Sequence, residues 1–266
     1  MRSPIEKSRI LISLLARHPG EFVDRVRNMV EVRLDRLIRR RGDYAPVTLA
    51  DALGTLGSSL GDPLSIYLDD PQYIHAKDHL QLSVGRLGDR APFIQDHNAD
   101  LALASMCYAL CRVLRPRVVL ETGVAYGVTS TFILAALDAN REGLLHSVDL
   151  PPLASHADEF VGALIPGEFR DRWRLVRGTS RRVLPGLLHR LGRVDLFIHD
   201  SLHTYWNMRS EFSSVERFLG RPSAVLADDI EGNTAFQEWV NERPPTDWCA
   251  VSEFMRSNAF GVSLFV

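Results

Sequence analysis

Two stretches of this chain bring together side chains that handle protons and cations: His199-Asp200-Ser201-Leu202-His203-Thr204-Tyr205 and Ala227-Asp228-Asp229. Three carboxylates meeting at one point, Asp200, Asp228 and Asp229, suit a hard divalent ion such as Mg²⁺, with water or substrate oxygens completing an octahedron. Zinc fits less well, because His199 alternates with Asp200 and points into the sheet, and no cysteine is near. His203 lies three residues past Asp200, beside that ion. There it is placed to act as general base on a substrate hydroxyl whose pKa the ion lowers. A plainer reading makes His203 a loop-bonded residue at a helix N-terminus, and the aspartates caps of helices beginning near Thr204 and Glu231. One aspartate is explained that way, but the Asp228-Asp229 pair opposite Asp200 is not.

For these groups to converge, the stretches must end neighbouring strands. Arg117 to Leu120 reads as a short buried strand after Pro116, and Glu121, Gly123 and Gly127 follow as a tight turn into a helix from Val128 to about Ala139. Glycines allow a sharp turn and a close approach to a ligand, and the helix start offers unpaired N–H groups. The pattern Glu-x-Gly-x-x-x-Gly lacks the middle glycine of the dinucleotide fingerprint.

Beyond it, strand and helix alternate. Strands are expected at Leu144–Asp149, Trp173–Arg177, Val194–His199, Ala224–Ala227, Trp248–Val251 and Phe260–Val266. Helices are expected at Ser155 to about Ile165, Ser180–His189, Thr204–Leu219 and Thr234–Val240. This alternation predicts an α/β, doubly wound, mostly parallel seven-stranded sheet. The short polar link Ser252 to Asn258 makes the last two strands antiparallel.

Ligands in such a sheet bind at the carboxyl ends of the strands. Those ends carry Glu121 with Thr122, then Asp149, then Gly178-Thr179-Ser180, then Asp200, then Asp228-Asp229. Like charges crowded at one sheet edge cost stability unless a cation or a hydroxyl-rich ligand takes them up. Asp149 is placed to accept two hydrogen bonds from a ribose diol, and Glu121 to hold the turn or a ligand amine. The expected cofactor-binding set is Glu121, Thr122, Gly123, Tyr126, Gly127, Ser130, Asp149, Thr179, Ser180 and Asp200, with Val124 as a further lining residue.

Upstream, residues 1 to 41 carry eleven Lys/Arg against five Asp/Glu. Phe22, Val26, Met29, Val30, Leu34, Leu37 and Ile38 recur at helical spacing between Glu21 and Arg41, with Gly42 as the expected C-cap. The helix is expected to dock on its own domain or on a dimer mate. The alternative is a surface for an acidic membrane or a partner chain. From 42 to 97, Gly, Pro, Asp and Ser punctuate the chain, so short helices and loops are expected without a long periodic segment; His75, His79 and His97 there carry little weight as ligands. Asp96 or Asn98 is expected to cap a helix running to about Leu114. The whole chain, with 31 basic and 33 acidic residues, gives no global argument for nucleic-acid binding. Cys107, Cys111 and Cys249 form no CxxC pair, which fits a reducing cytoplasm. No apolar run is long enough to span a bilayer.

Taken together, Glu121-x-Gly123-x-x-x-Gly127, Asp149, Asp195-Leu-Phe-Ile-His-Asp200-x-x-His203-x-Tyr205 and Ala227-Asp228-Asp229 resemble the class I S-adenosylmethionine (SAM) methyltransferases. The likeness is to the group of metal-dependent macrolide-sugar O-methyltransferases and cephalosporin-hydroxylase-like proteins. It covers roughly residues 95 to 266 and departs at Ser201, where that group commonly has glycine. The resemblance implies Mg²⁺ (or another divalent cation) on Asp200, Asp228 and Asp229, His203 as base, and a small sugar or natural-product hydroxyl as substrate. Residues 1–95 are then a helical extension, a substrate cap or homo-oligomer contact, and 96–266 the SAM-binding domain. The rival readings are a non-catalytic SAM- or nucleotide-binding module and an NAD-dependent oxidoreductase.

Overall fold

The computed structural model of the chain describes residues 14–38, 41–85, 87, 100–154, 156–254 and 258–266. Seven strands form one sheet: β1 Val118–Thr122, β2 Leu144–Asp149, β3 Trp173–Arg177, β4 Val194–His199, β5 Leu219–Ala227, β6 Asp247–Ser252 and β7 Ala259–Phe265. Their order is β3-β2-β1-β4-β5-β7-β6. The first five are parallel, and β7 runs antiparallel between β5 and β6. The expected doubly wound sheet with one reversed strand is therefore what the chain builds.

β4 is buried along its whole length because helices cover both faces of the sheet. One face carries α3 (Pro71–Val84), α4 (Leu101–Leu114) and α5 (Val128–Asn140), whose core joins Leu103, Cys107, Phe132 and Ile133 to Val119, Leu196 and Ile198. The other face carries α7 (Ser180–Leu191), α8 (Tyr205–Val215) and α9 (Ala235–Glu242), packed through Leu184, Phe212 and Trp239 onto Leu120, Phe197 and Val225. Each such buried aliphatic or aromatic side chain contributes about 1.5–3 kcal/mol of transfer free energy.

Before the sheet, α1 (Pro19–Ile38) and α2 (Leu49–Leu60) join α3 as helices of 20, 12 and 14 residues. The helices expected between 42 and 97 are α2 and α3, each of three to four turns. Thr48 caps α2 and Gly61 ends it in the left-handed conformation. Gly57 is no breaker there: a Cβ on it would stand 2.7 Å from the carbonyl oxygen of Asp62, so the glycine permits the turn that follows. Leu53, Leu56, Tyr73 and Ala76 share the core of α4 and the sheet.

Other expectations shift at element ends. α4 is capped by Asp100, whose Oδ1 accepts the Ala102 N–H at 2.7 Å; Asp96, His97 and Asn98 lie outside the described residues. The helix expected from Ser155 is a single turn, α6 (Ala157–Phe160). The segment after it folds back on the glycine turn, with Gly162 N–H on Ala125 O and Leu164 N–H on Tyr126 O, both at 2.9 Å. α1 is described as far as Ile38, and residues 39 and 40, which separate it from the expected cap Gly42, lie outside the described residues.

Candidate active site

The turn after β1 is fixed by what it touches. Gly123 has φ +84°, and a Cβ there would stand 1.9 Å from the carbonyl oxygen of Asp200. Only glycine lets the β1 turn lie directly against the end of β4. Gly127, with φ +88°, starts α5 against Gly162 and Ile165 in the same way.

Asp149, at the end of β2, accepts the N–H groups of Val124 and Ala125 on one oxygen, Oδ2, at 2.7 and 3.0 Å. Burial raises its pKa, and these two donors oppose that rise. Glu121 is wholly buried, and its Oε2 accepts the hydroxyls of Ser130 and Ser147, each at 2.7 Å. Burial outweighs those bonds and lifts its pKa to about 7. Its second oxygen, Oε1, is buried without a partner among the described residues. Tyr126 is buried with its ring edge-on to Phe160.

Other residues of the expected cofactor set point elsewhere. Thr122 donates to Glu211 Oε2 at 2.5 Å, Thr179 to Asp24 Oδ2 at 3.2 Å, and Ser180 to Asn207 Oδ1 at 3.4 Å. Thr122 belongs to a buried network on Glu211, which also bonds His199 Nδ1 at 2.7 Å and accepts Ser201 Oγ at 2.7 Å. Burial opposes the charge on Glu211, but His199 and the surrounding donors prevail and lower its pKa to about 2. Ser201, the one departure from the resembled motif, is thereby absorbed into the scaffold under Asp200.

The acidic cluster forms where β4 and β5 end. Asp200, His203 and Asp228 present ligand atoms all within 4.8 Å of one another. His203 Nε2 is 3.7 Å from Asp200 Oδ1, and His203 Nδ1 is buried without a partner among the described residues. Asp228 is buried, and its Oδ1 also lacks a partner among the described residues. Burial and then the facing Asp228 push the Asp200 carboxyl well above the usual carboxylate range, whereas burial lowers the His203 pKa. Asp229 sits in the left-handed region at φ 51°, and its Oδ1 accepts Asn258 Nδ2 at 2.6 Å. A second group, Asp228, Asp229 and Glu253, shares Asp228 with the first under the same 4.8 Å limit.

Glu253 was missed in the sequence. β6 runs parallel to β5, so its carboxyl end falls on the same edge, and the strand-end rule applied one strand further reaches it. α1 docks on its own domain, one of the two placements expected for it, but by a face the sequence did not mark. It lies across the ends of β2, β3 and β4 through its acidic face: Glu31 accepts Thr204 Oγ1 at 2.5 Å and Arg181 Nη2 at 2.9 Å, Asp35 accepts the Tyr205 N–H at 2.9 Å, and Asp24 pairs with Arg182 at 2.6 Å. Val23, Val30, Leu34 and Leu37 face outward.

Residues 120–230 match a family model described as a methyltransferase domain. No curated protein matches the chain. The O-methyltransferase from Bacillus cereus in complex with SAH superposes with a TM-score of 0.56 at 13% identity, covering 72% of this chain and 90% of that one. The O-methyltransferase TomG from Streptomyces achromogenes, involved in tomaymycin synthesis and solved with SAM, gives 0.55 at 16% identity, covering 74% and 90%. Cofactor-bound Rv0187 from MTB gives 0.54 at 17%, covering 83% and 98%. These likenesses establish the fold as that of the class I methyltransferases. Among the described residues no helix is long and apolar enough to cross a membrane.

Proposed function

We propose that this chain, a class I methyltransferase fold whose residues 120–230 match a methyltransferase domain, is a SAM-dependent, Mg²⁺-dependent O-methyltransferase acting on a small-molecule hydroxyl. The observation that carries this reading is the contact between the two half-sites. The Gly123 turn, where the cofactor belongs, lies against the backbone of Asp200, the residue that opens the acidic cluster. A methyl donor and a hydroxyl acceptor bound at these two places are neighbours.

The donor set fits both groups. Buried oxygens on Glu121 and Asp228, and His203 Nδ1, all without a partner among the described residues, are polar atoms that a ligand would satisfy. The cofactor side comprises Gly123, Tyr126, Gly127, Asp149 and Glu121, with Asp149 keeping Oδ1 for a ribose hydroxyl while Oδ2 holds the turn. Thr122, Ser130, Thr179 and Ser180 brace that side from beneath. Asp200, Asp228 and Asp229 hold the cation.

When bound, SAM supplies an electrophilic methyl group and the cation supplies positive charge that lowers a hydroxyl pKa. His203, kept neutral by burial, takes the hydroxyl proton, and Asp200 orients its ring. The rest of the catalysis is positioning and charge neutralisation. A sugar or natural-product hydroxyl is the substrate class we favour, on the resemblance of the Asp200-x-x-His203 and Asp228-Asp229 motifs. Three free thiols among the described residues support a cytoplasmic location. We read residues 1–95 as an extension of the 96–266 domain, with the outward apolar stripe of α1 as contact for a second copy, which light scattering on wild type and Leu34→Glu tests.

Calorimetry with SAM, first with Mg²⁺ and then with EDTA, tests the central reading, with NAD⁺ as control. Micromolar SAM binding in both conditions plus a separate Mg²⁺ isotherm is expected. No SAM binding in either condition refutes it.

A further inference from the structure

Glu253 follows β6, across Asp228 from Asp200 and His203, and is only 7% exposed. Neither of its carboxylate oxygens has a hydrogen-bond partner among the described residues. Its ligand atom, with those of Asp228 and Asp229, lies within a 4.8 Å group. The backbone latches this arrangement: Glu253 N–H donates to Asn258 O at 3.0 Å, and Asn258 Nδ2 holds Asp229. Four carboxylates thus converge here. Their only ion-pair partner among the described residues is His203, 3.7 Å from Asp200. Burying a carboxylate without a donor or a cation is expensive, and two adjacent ones more so.

The group Asp228, Asp229 and Glu253 is all oxygen, whereas Asp200, His203 and Asp228 includes a nitrogen. Hard divalent cations prefer carboxylate oxygens. We propose that Glu253 is a ligand of the cation site, closing it from the β6 side and making Asp228 the residue shared between cation binding and the Asp200–His203 pair. This rests on the metal-dependent reading above and adds to it a ligand from outside the β4 and β5 motifs.

The test is Mn²⁺ binding to the purified full chain, followed by electron paramagnetic resonance and by the Mn²⁺-induced rise in unfolding temperature. Wild type, Glu253→Gln and Asp228→Asn are compared, with SAH binding as the check of folding. The proposal expects Glu253→Gln to weaken Mn²⁺ binding more than about tenfold, the lower end of what loss of even an outer-shell partner costs. SAH affinity should be unchanged, and the variant should melt higher than wild type in EDTA. Glu253→Asp, which keeps the charge but shortens the arm, should fall between. Wild-type Mn²⁺ affinity in Glu253→Gln overturns the assignment while leaving the metal site on the aspartates intact. Absence of Mn²⁺ binding by wild type overturns the metal-dependent reading itself.

Discussion

Asp149 holds the N–H of Val124 at 2.7 Å, tying the end of β2 to the glycine turn after β1. The same oxygen takes the Ala125 N–H, and Ala125 has φ +46°, a conformation costly for a residue with a Cβ. The carboxylate therefore shapes the turn before any cofactor arrives. Asp149→Ala removes an acceptor from one buried and one half-buried donor and should cost about 2–4 kcal/mol of stability as well as cofactor affinity. Asp149→Asn keeps one acceptor oxygen and should recover most of the stability but not the affinity. Urea unfolding and SAH calorimetry on both variants check this; equal affinity in wild type and Asp149→Asn would remove Asp149 from the cofactor contacts.

His203→Ala and Asp228→Ala should lose turnover and keep SAM binding. General-base removal typically costs about 10²–10⁴-fold in rate. His203 is half-buried, and the loss of water around its ring holds its pKa below the ordinary value, so the neutral form persists to lower pH than in a free imidazole. The activity of wild type should accordingly decline only below the usual histidine range. A His203→Ala enzyme with full kcat would end the base assignment.

α1 is pinned by Glu31, which bridges Thr204 and Arg181. Thr204 caps α8, so this contact also sets the loop that carries His203. Because Arg181 remains partly in water, Glu31→Ala should cost about 2 kcal/mol, less than a fully buried pair would. Hydrogen exchange should quicken both in α1 and in residues 200–205. Faster exchange in α1 alone would mean the loop does not depend on the helix.

The sheet was legible because its signals are local. Strand lengths, the glycine turn and the polar strand ends all lie within a few residues of one another, and β2, β3 and β4 run as read. α3 was not, because its apolar residues are spread around the helix and Leu82 faces water while Tyr73 and Ala76 are buried. α1 misled in the opposite way. Its apolar stripe reads as the docking face, yet Arg181 and Arg182, more than 140 residues away, draw its acids inward. Glu211 carried a weaker signal, lying on the same α8 face as Met208 and Val215, so a buried carboxylate was readable there.

Glu121 gives the clearest pH dependence. Its pKa stands at about 7 in the folded chain against 4.5 ordinarily, chiefly through burial. Between those values the folded protein keeps a proton that the unfolded chain has lost. The folded state binds more protons there, so stability falls as pH rises through this window and levels off above it. The effect is on the order of 3 kcal/mol across the window. Glu121→Gln removes the titration, and its amide oxygen still accepts Ser130 and Ser147. Urea unfolding in EDTA at pH 5, 6, 7 and 8 should show a shallower decline for Glu121→Gln up to about pH 7 and parallel behaviour beyond. Parallel curves across the whole range would mean that Glu121 ionises in the folded chain as freely as in the unfolded one.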